Sequence, residues 1–278
     1  MIKQKKKIKD LLYEYHIKPK RKLGQNFIFD ENILNKITNS IEPIKNFCII
    51  EIGAGPGGLT RSILEKSPKS IIIIEKDTSF KKILLEVTDS FPKIKTTLVL
   101  DDFMKINVNK LERFQENKIK FLSNLPYYIS TQILLKVLPF HPNVSEASFM
   151  FQKEVAERLI ANPHTKKYSK LSVLTQYCCN IKKIFNLKSN IFYPKPDVDS
   201  CLLNFKPKKN LSIEVFNELK KITKFAFEKR RKTIKNALSN IEGIHELLKK
   251  LEIDEQCRAE NLSVEKYVNL AQKLINKN

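Results

Sequence analysis

Short runs of apolar residues recur between residues 47 and 205, and stretches with helical periodicity separate them. A run of four to six apolar residues bounded by turn signals is typical of a strand buried on both faces. Strands that alternate with helices at this spacing predict an α/β fold with a doubly wound, mainly parallel sheet. The predicted strands are 47–52, 71–74, 96–100, 118–123, 147–152, one within 171–185, and 200–205, and the helices among them are 33–41, 59–66, 130–137 and one from 153.

The pattern becomes entirely helical beyond residue 206, which predicts a small second domain at the end of the chain. We therefore divide the sequence into a basic N-terminal arm at 1–22, an α/β domain at 23–206 and a helical domain at 207–278. The predicted helices of the last segment are 212–228, 230–240, 245–251 and 263–275.

The N-terminal arm carries nine basic and two acidic residues within its 22 positions. Such a segment is expected to be disordered or loosely helical when free, and to contact phosphates or remain a solvated tail. Further along, Asp30 is a plausible N-cap for the first helix of the α/β domain.

The net charge of the chain indicates what kind of molecule it binds. The 278 residues carry a formal net charge of +21 and the pI is about 9.6, which favours a polyanion such as nucleic acid. An anionic membrane surface and a merely lysine-rich composition are the alternatives. A second basic cluster, KRRKTIK at 229–235, accompanies the arm. The candidate phosphate contacts are Lys20, Arg21, Lys22, Lys229, Arg230, Arg231, Lys232 and Lys235.

The five cysteines form no C-x-x-C pair and no Cys/His cluster with metal-ligand spacing, so no metal site is predicted. Their odd number and apolar surroundings indicate reduced core residues of a cytoplasmic protein. No apolar signal core and no run of membrane-spanning length is found, so no membrane association is expected.

A glycine-rich loop follows the first strand. Gly53 and Gly55 allow a sharp turn and close approach of a ligand to the backbone, and the next helix begins there. Together with Gly58 they also spell G-x-G-x-x-G, and Glu75 ends the second strand 20 residues after Gly55, where a ribose diol would be bound. A nicotinamide dinucleotide and S-adenosylmethionine both fit these residues.

Two further strands end in polar residues. Asp101 and Asp102 follow the third strand. A pair of acids could suggest metal binding, but the simpler interpretation is that one acid accepts a hydrogen bond from an adenine amine while the neighbouring backbone contacts the ring. After the fourth strand come Asn124, Leu125, Pro126 and Tyr127, where the proline stops the strand and fixes a turn. This places an amide and an aromatic ring at the edge where open α/β sheets bind ligands.

The segment 192–200 is a stiff loop with two prolines and two aromatic rings, Phe192 and Tyr193. It serves either as a stacking platform for a base or as a packed anchor of the loop.

Seven segments together identify a family. The chain resembles the KsgA-type small-subunit ribosomal RNA adenine dimethyltransferases, over nearly its whole length apart from about the first 17 residues. The matching segments are GQNF at 24–27, EIGAGPGGLT at 51–60, NLPYYIST at 124–131, FQKEVAERL at 151–159, YSKLSVLTQY at 168–177, PKPDVDS at 194–200 and RRKTIKNAL at 230–238.

This resemblance implies a class I, Rossmann-like methyltransferase fold. It also implies dimethylation of the N6 amino groups of two adjacent adenosines near the 3′ end of 16S ribosomal RNA, with S-adenosylmethionine as cofactor and S-adenosylhomocysteine as product. The implied partner is the assembling 30S-type particle, approached by a monomer. The implied cofactor contacts are Gln25, Asn26, Phe27, Gly53, Gly55, Glu75, Lys76, Asp101, Asp102 and Asn124. The implied catalytic segment is Asn124, Leu125, Pro126 and Tyr127, with Tyr127 and Phe192 stacking on the target base.

Three rival functions remain open at this point. A related antibiotic-resistance methyltransferase acting on large-subunit RNA shares the cofactor motifs. A dinucleotide dehydrogenase explains the glycines but neither the Asn-Leu-Pro-Tyr segment nor the positive charge. An RNA-binding assembly or transcription factor on the same fold would need no catalysis, although the intact catalytic segment argues against lost activity.

Overall fold

The computed structural model describes residues 6–107 and 118–276. The described chain forms two compact units. The first comprises Met1–Lys153 and Lys182–Lys206, and the second comprises Glu154–Ile181 and Pro207–Asn278, each as far as it is described. The change at Pro207 falls at the predicted boundary of the helical domain. The segment Glu154–Ile181, which we assigned to the α/β domain, instead groups with the C-terminal helices.

A seven-stranded mixed sheet forms the centre of the first unit. The strands are β1 (Phe27–Ile28), β2 (Cys48–Ile52), β3 (Ser70–Glu75), β4 (Lys95–Leu100), β5 (Ile119–Asn124), β6 (Val144–Gln152), β7 (Cys179–Leu187), β8 (Phe192–Tyr193) and β9 (Ser200–Pro207). The order in the large sheet is β4-β3-β2-β5-β6-β9-β7. Its first five strands run parallel, and β9 pairs antiparallel with β6. A separate two-stranded sheet joins β1 and β8.

Burial explains why the central strands are continuously apolar. Every residue of β2 and β3 is buried, because both faces of these inner strands are covered. The outermost strand of the parallel edge, β4, has only partly buried or exposed residues, as expected for an edge position. All seven predicted strands are present in the structure, with ends that differ by a few residues.

Helices accompany the strands of the first unit. They are α1 (Ile8–Glu14), α2 (Glu31–Thr38), α3 (Gly58–Glu65), α4 (Lys81–Asp89) and α5 (Ser130–Val137). The next helix, α6 (Lys153–Leu159), belongs to the second unit in all but its first residue. Asp30 caps α2 through a hydrogen bond from the Ile33 backbone N–H (3.1 Å), which confirms the predicted N-cap. Helix α3 begins after Gly57, whose φ of 83° lies in the left-handed region.

The N-terminal arm differs from the expected disordered or loosely helical segment. Ile8, Leu11 and Leu12 lie on one face of α1 and are buried in the core of the first unit. The Arg61 guanidinium on α3 donates to the Lys6 carbonyl (2.6 Å), and the Tyr15 hydroxyl donates to Glu86 on α4 (2.9 Å). The apolar positions among the lysines thus fix the helix in place, whereas residues 1–5 of the arm lie outside the described residues.

The second unit is helical, with a core that contains Tyr168, Phe227 and Tyr267. Its further helices are α7 (Lys170–Cys178), α8 (Ile213–Glu228), α9 (Ile234–Ala237), α10 (Ile244–Lys250) and α11 (Val264–Ile275). The predicted helix at 230–240 is wrong in extent, because α9 begins only after Thr233, which caps it. The basic run 229–232 therefore lies in a turn before the helix and not within one.

Four of the five cysteines are buried, and no disulfide joins any of them to a described residue. Within residues 6–107 and 118–276, no helix is both long enough and apolar enough to cross a membrane.

Candidate active site

A cavity in the first unit opens where β2, β3 and β5 end, and its empty space, part of it open to solvent, measures about 980 Å³. Parallel strands bring their carboxyl ends to one edge of the sheet, so the polar residues that follow each strand meet there. The predicted residues that line it are Gln25, Asn26, Phe27, Gly53, Gly55, Glu75, Lys76, Asp101, Asp102, Asn124, Leu125, Pro126 and Tyr127.

The glycine loop forms one wall, and its shape depends on the absence of side chains. Gly53 has φ 74° and Gly55 has φ 55°, both in the left-handed region. A Cβ on Gly53 would lie 3.2 Å from Pro126 Cδ, and one on Gly55 would lie 2.7 Å from the Phe27 ring. The loop therefore carries two close contacts, with the turn after β5 and with Phe27.

Glu75 ends β3 and holds the loop from the opposite side. Its two carboxylate oxygens accept hydrogen bonds from the backbone N–H groups of Gly55 (2.7 Å) and Asp77 (2.7 Å). Burial raises the pKa of Glu75, and these two hydrogen bonds oppose that effect. Since a carboxylate has about four lone-pair positions, Glu75 can still accept from a ligand diol.

The two acidic residues after β4, Asp101 and Asp102, have different hydrogen-bond partners. Asp102 accepts from Lys76 Nζ (2.8 Å) and from the Met104 backbone N–H (2.9 Å), and the hydrogen bond from Lys76 lowers the pKa of this carboxyl. Asp101 accepts from the Asp102 backbone N–H (2.7 Å). Across the described residues, no three His, Cys, Asp or Glu side chains converge into a possible metal site.

Asn124 is held in one orientation. Its side-chain nitrogen donates to the backbone carbonyl of Asn26 at 2.8 Å. The same bond identifies which end of the amide is nitrogen, because a carbonyl accepts only from a donor. The amide oxygen accepts no hydrogen bond from a described residue, so it remains available on a cavity-lining side chain.

Tyr127 is fixed at two points. Its hydroxyl shares a short hydrogen bond with the Ser200 hydroxyl, and its ring meets Phe192 edge-on, with centroids 6.4 Å apart at 74°. Burial raises the pKa of Tyr127 to about 12, so the phenol stays protonated at neutral pH.

Phe192 does not occupy the position expected of a stacking platform. Its side chain is only 4% exposed, belongs to the apolar core, and is absent from the cavity lining. A ring buried in this way supports Tyr127 but offers no face to a base. The exposed aromatic ring of that loop is Tyr193, at 47% exposure.

Three residues near the site escaped the sequence analysis. Asp77 and Ser200 form hydrogen bonds with residues that are far away in the sequence, and no local sequence pattern identifies such partners. Glu51 stands in the quoted glycine motif, but only the structure shows it to be 1% exposed and to accept from the Thr60 hydroxyl (2.6 Å). Burial raises the pKa of Glu51 to about 8, despite the opposing hydrogen bond.

The basic residues predicted near the N-terminus are not equivalent. Lys20 forms an ion pair with Asp77 (2.9 Å), so its charge is already compensated. Lys22 is exposed, and Arg21 lies in a short 3₁₀ turn.

The basic cluster of the second unit divides similarly. Arg230 donates to Glu260 (2.8 Å) and to the Lys166 carbonyl (2.8 Å), and Lys235 pairs with Glu255 (3.5 Å). In contrast, Lys229, Arg231 and Lys232 are exposed and form no salt bridge with a described residue. These three carry the uncompensated positive charge of the turn.

The chemical capability of the cavity follows from its lining. The glycine loop allows a ligand to lie directly against the backbone, and the Glu75 carboxylate can accept hydrogen bonds from a diol. Asp102 can accept from an amine, and Asn124, with its oriented amide oxygen, lines the same cavity as Tyr127. This set fits a nucleoside-bearing cofactor next to a planar amine.

Comparison with known proteins gives a consistent result. A sequence model of the family "Ribosomal RNA adenine dimethylase" matches residues 16–276. The chain is 39% identical to the ribosomal RNA small subunit methyltransferase A of Buchnera aphidicola subsp. Baizongia pistaciae over 253 residues, which is 90% of this chain and 95% of the relative. It is also 39% identical over 262 residues to the protein of that name from Francisella tularensis subsp. novicida, covering 93% and 98% of the two chains.

Among solved structures, a dimethyladenosine transferase from Plasmodium falciparum is similar with a TM-score of 0.77 and 25% identity, over 90% of this chain and 98% of that one. The 23S rRNA methyltransferase ErmE is similar with a TM-score of 0.66 and 20% identity, over 90% and 100%, a likeness of fold alone.

Proposed function

Because the chain belongs to the ribosomal RNA adenine dimethylase family, we propose that its cavity transfers methyl groups to the N6 amino groups of two adjacent adenosines near the 3′ end of small-subunit ribosomal RNA. The protein is an S-adenosylmethionine-dependent ribosomal RNA adenine methyltransferase, and S-adenosylhomocysteine is its product. The assignment of roles to individual residues below is part of the proposal.

The orientation of Asn124 is the observation that carries this proposal. An adenine amino nitrogen is a weak nucleophile because its lone pair is delocalised into the ring. The available amide oxygen of Asn124, with the Leu125 carbonyl, can accept the two amine hydrogens and favour a pyramidal nitrogen. Holding the amine in this way supplies much of the rate through positioning.

S-adenosylmethionine supplies an electrophilic methyl group. The residues that would hold it are Glu75 at the ribose diol, Asp102 at the adenine amine and the backbone around Gly53 beside the methionine part. A side chain at position 53 would occupy space beside Pro126 at this wall of the cavity, so the absence of one is consistent with a ligand that lies directly on the backbone. The methylated amine would be acidic and would release its proton to solvent, so no strong base is required among the residues of the cavity.

Tyr127 would stack on the target adenine after it leaves the RNA helix. Its anchoring by Ser200 and Phe192 supports this role, because a fixed ring holds a base in line without first losing side-chain freedom. Phe192 then contributes through Tyr127 and not by direct stacking.

The partner is ribosomal RNA, and we infer that the folded small-subunit particle is the form recognised. The charge of +21 supports phosphate contacts spread over the surface, among them the exposed Lys22, Lys229, Arg231 and Lys232. A monomeric enzyme acting in the cytoplasm completes the proposal.

The rival functions have less support. The two relatives at 39% identity are named for the small subunit, whereas the large-subunit enzyme ErmE shares the fold at 20% identity. A dehydrogenase would leave the Asn124 amide oxygen and the Tyr127 ring without a role. A purely RNA-binding factor would not need an oriented amide in a lined cavity.

Mass spectrometry of nucleosides from small-subunit RNA tests the proposal directly. Unmethylated small ribosomal subunits incubated with the protein and S-adenosylmethionine should yield dimethyladenosine, and the Asn124→Ala variant should yield little. Absence of the product with the wild-type protein, or its appearance in large-subunit RNA instead, would overturn the proposal.

A further inference from the structure

The Asp77 carboxylate accepts four hydrogen bonds, although Asp77 does not line the cavity. It lies two residues beyond Glu75 and is 7% exposed. Its carboxylate accepts from Lys20 Nζ (2.9 Å), Gln25 Nε2 (2.8 Å), and the backbone N–H (3.2 Å) and hydroxyl (2.7 Å) of Ser79. The first two donors belong to residues 20–28, which we call the N-terminal strap.

The strap is closed upon itself and forms part of the cavity wall. The Gln25 amide oxygen accepts from the Lys20 backbone N–H at 2.7 Å, so both ends of that amide are engaged. Residues 23–28 line the cavity, and the Phe27 ring packs against Gly55. Gln25, one of the expected cofactor contacts, is thus also one of the two residues that attach the strap to Asp77.

The strap leads directly to the catalytic amide. Asn26, the next residue after Gln25, provides the carbonyl that holds Asn124 Nδ2 at 2.8 Å. In the other direction, the Asp77 backbone N–H donates to Glu75, which holds Gly55. Asp77 therefore connects Glu75, which would bind the ribose, with the strap that orients Asn124, the acceptor of the target amine.

From these contacts we propose that Asp77 is a positioning residue for methyl transfer, which sets the orientation of Asn124 through Gln25 and the Asn26 carbonyl. This inference rests on the proposed function. Without the carboxylate, the strap loses two anchors and the Asn26 carbonyl gains freedom to move. The Asn124 amide would then no longer be restricted to the orientation that presents its oxygen to the amine.

Asp77 need not touch a ligand for this role. A side chain that only stabilised the turn after β3 would act through Ser79 and would leave the strap unaffected. The two explanations therefore differ in what happens at Asn124, which lies 47 positions further along the chain.

A double-mutant cycle between Asp77→Asn and Asn124→Ala tests the connection. Single-turnover rates of dimethyladenosine formation are measured on small ribosomal subunits for the wild type, both single variants and the double variant. We expect Asp77→Asn to lower the rate about tenfold and the double variant to match Asn124→Ala within about twofold, because both changes act on one amide. If the two losses multiply instead, Asp77 does not act through Asn124 and the proposal is overturned.

Ser79→Ala is the matched control, because it removes the hydroxyl contact to Asp77 and leaves Lys20 and Gln25 in place. Its rate should stay within about twofold of wild type, since the strap keeps both anchors. An equal loss in Ser79→Ala and Asp77→Asn would show that only the local turn matters, and would also overturn the proposal.

Lys20→Met provides a second variant if Asp77→Asn proves unstable, since the Lys20 side chain is about half exposed and its loss spares the core. It should lower the same single-turnover rate by several-fold at saturating RNA, and the same cycle with Asn124→Ala should again be non-multiplicative. If the wild-type protein forms no dimethyladenosine, the proposed function itself is wrong. If the wild type is active but the rate losses of the two single variants multiply in the double variant, only the proposed role of Asp77 is wrong.

Discussion

The Tyr127 hydroxyl and the Ser200 hydroxyl share a hydrogen bond although the two residues lie 73 positions apart in the chain. Tyr127 ends the catalytic segment after β5, and Ser200 begins β9. The bond fixes the ring of Tyr127 from its far end, while Phe192 supports its edge. The phenol is therefore an anchor, a role that the stacking interpretation by itself does not include.

The first prediction separates the ring of Tyr127 from its hydroxyl. Tyr127→Ala should lose most turnover, because removal of one base-stacking face costs about 1–3 kcal/mol. Tyr127→Phe should keep the stacking face but lose the anchor, which gives an intermediate loss of several-fold. Turnover is measured on small ribosomal subunits at saturating S-adenosylmethionine.

Ser200→Ala is the control for this prediction, since it removes the same hydrogen bond from the other side. It should match Tyr127→Phe. Activity of Tyr127→Phe as low as that of Tyr127→Ala, with Ser200→Ala near normal, would show that the hydroxyl has a chemical role.

The second prediction concerns Glu75. Glu75→Ala should weaken S-adenosylhomocysteine binding at least tenfold, measured by calorimetry, because the ribose acceptor is lost. It should also lower the free energy of unfolding by about 1–3 kcal/mol, since the backbone N–H groups of Gly55 and Asp77 lose their acceptor. An unchanged free energy of unfolding would contradict the structural role of Glu75. An unchanged affinity for S-adenosylhomocysteine would contradict the proposed cofactor site.

The third prediction concerns the basic turn before α9. Arg231→Ala combined with Lys232→Ala should make the logarithmic salt dependence of RNA binding shallower by about 1.4 to 1.8, or 0.7 to 0.9 per phosphate contact. These side chains are exposed and have no salt-bridge partner among the described residues, so their replacement should not disturb the fold.

Two controls accompany that measurement. Lys182→Ala with Lys183→Ala removes the same net charge from another exposed pair and should leave the slope nearly unchanged. Arg230→Ala should instead lower thermal stability, because Arg230 contacts Glu260 and the Lys166 carbonyl. Equal slopes for the two double variants would identify the turn as a solvated face.

The fourth prediction concerns pH and Glu51. Burial raises the pKa of Glu51 from its usual 4.5 to about 8, so between these values the folded protein binds a proton that the unfolded chain releases. Its contribution to stability is therefore fully present below about pH 4.5 and is lost as the pH rises towards 8. Glu51→Gln, which is neutral at all pH values, should remove this decline and raise the free energy of unfolding at pH 9 by at least about 1 kcal/mol.

Denaturant unfolding at pH 5, 7 and 9 measures this effect. Glu242→Gln changes an exposed glutamate and should leave the pH dependence as in the wild type. A Glu51→Gln protein whose stability declines with pH as steeply as the wild type would show that Glu51 is already ionised in the fold.

The sequence by itself determined the sheet and the contents of the cavity. Inner strands such as β2 and β3 must be apolar throughout because both faces are covered, so they are recognisable as continuous runs. Parallel strands end at the same edge, so Gly53, Glu75, Asp102 and Asn124 are brought together by topology alone.

Only the tertiary structure decided how these residues are held and which of the remaining residues are exposed. The Asn26–Asn124 contact spans 98 residues and the Gln25–Asp77 contact spans 52, and such pairs depend on backbone paths that no local pattern records. The structure also packed α1 into the core, placed Phe192 out of reach of a ligand and divided the basic residues into paired and unpaired ones. Local periodicity fixes which face of an element is apolar, but the partner of a polar side chain depends on where distant segments of the chain come to lie.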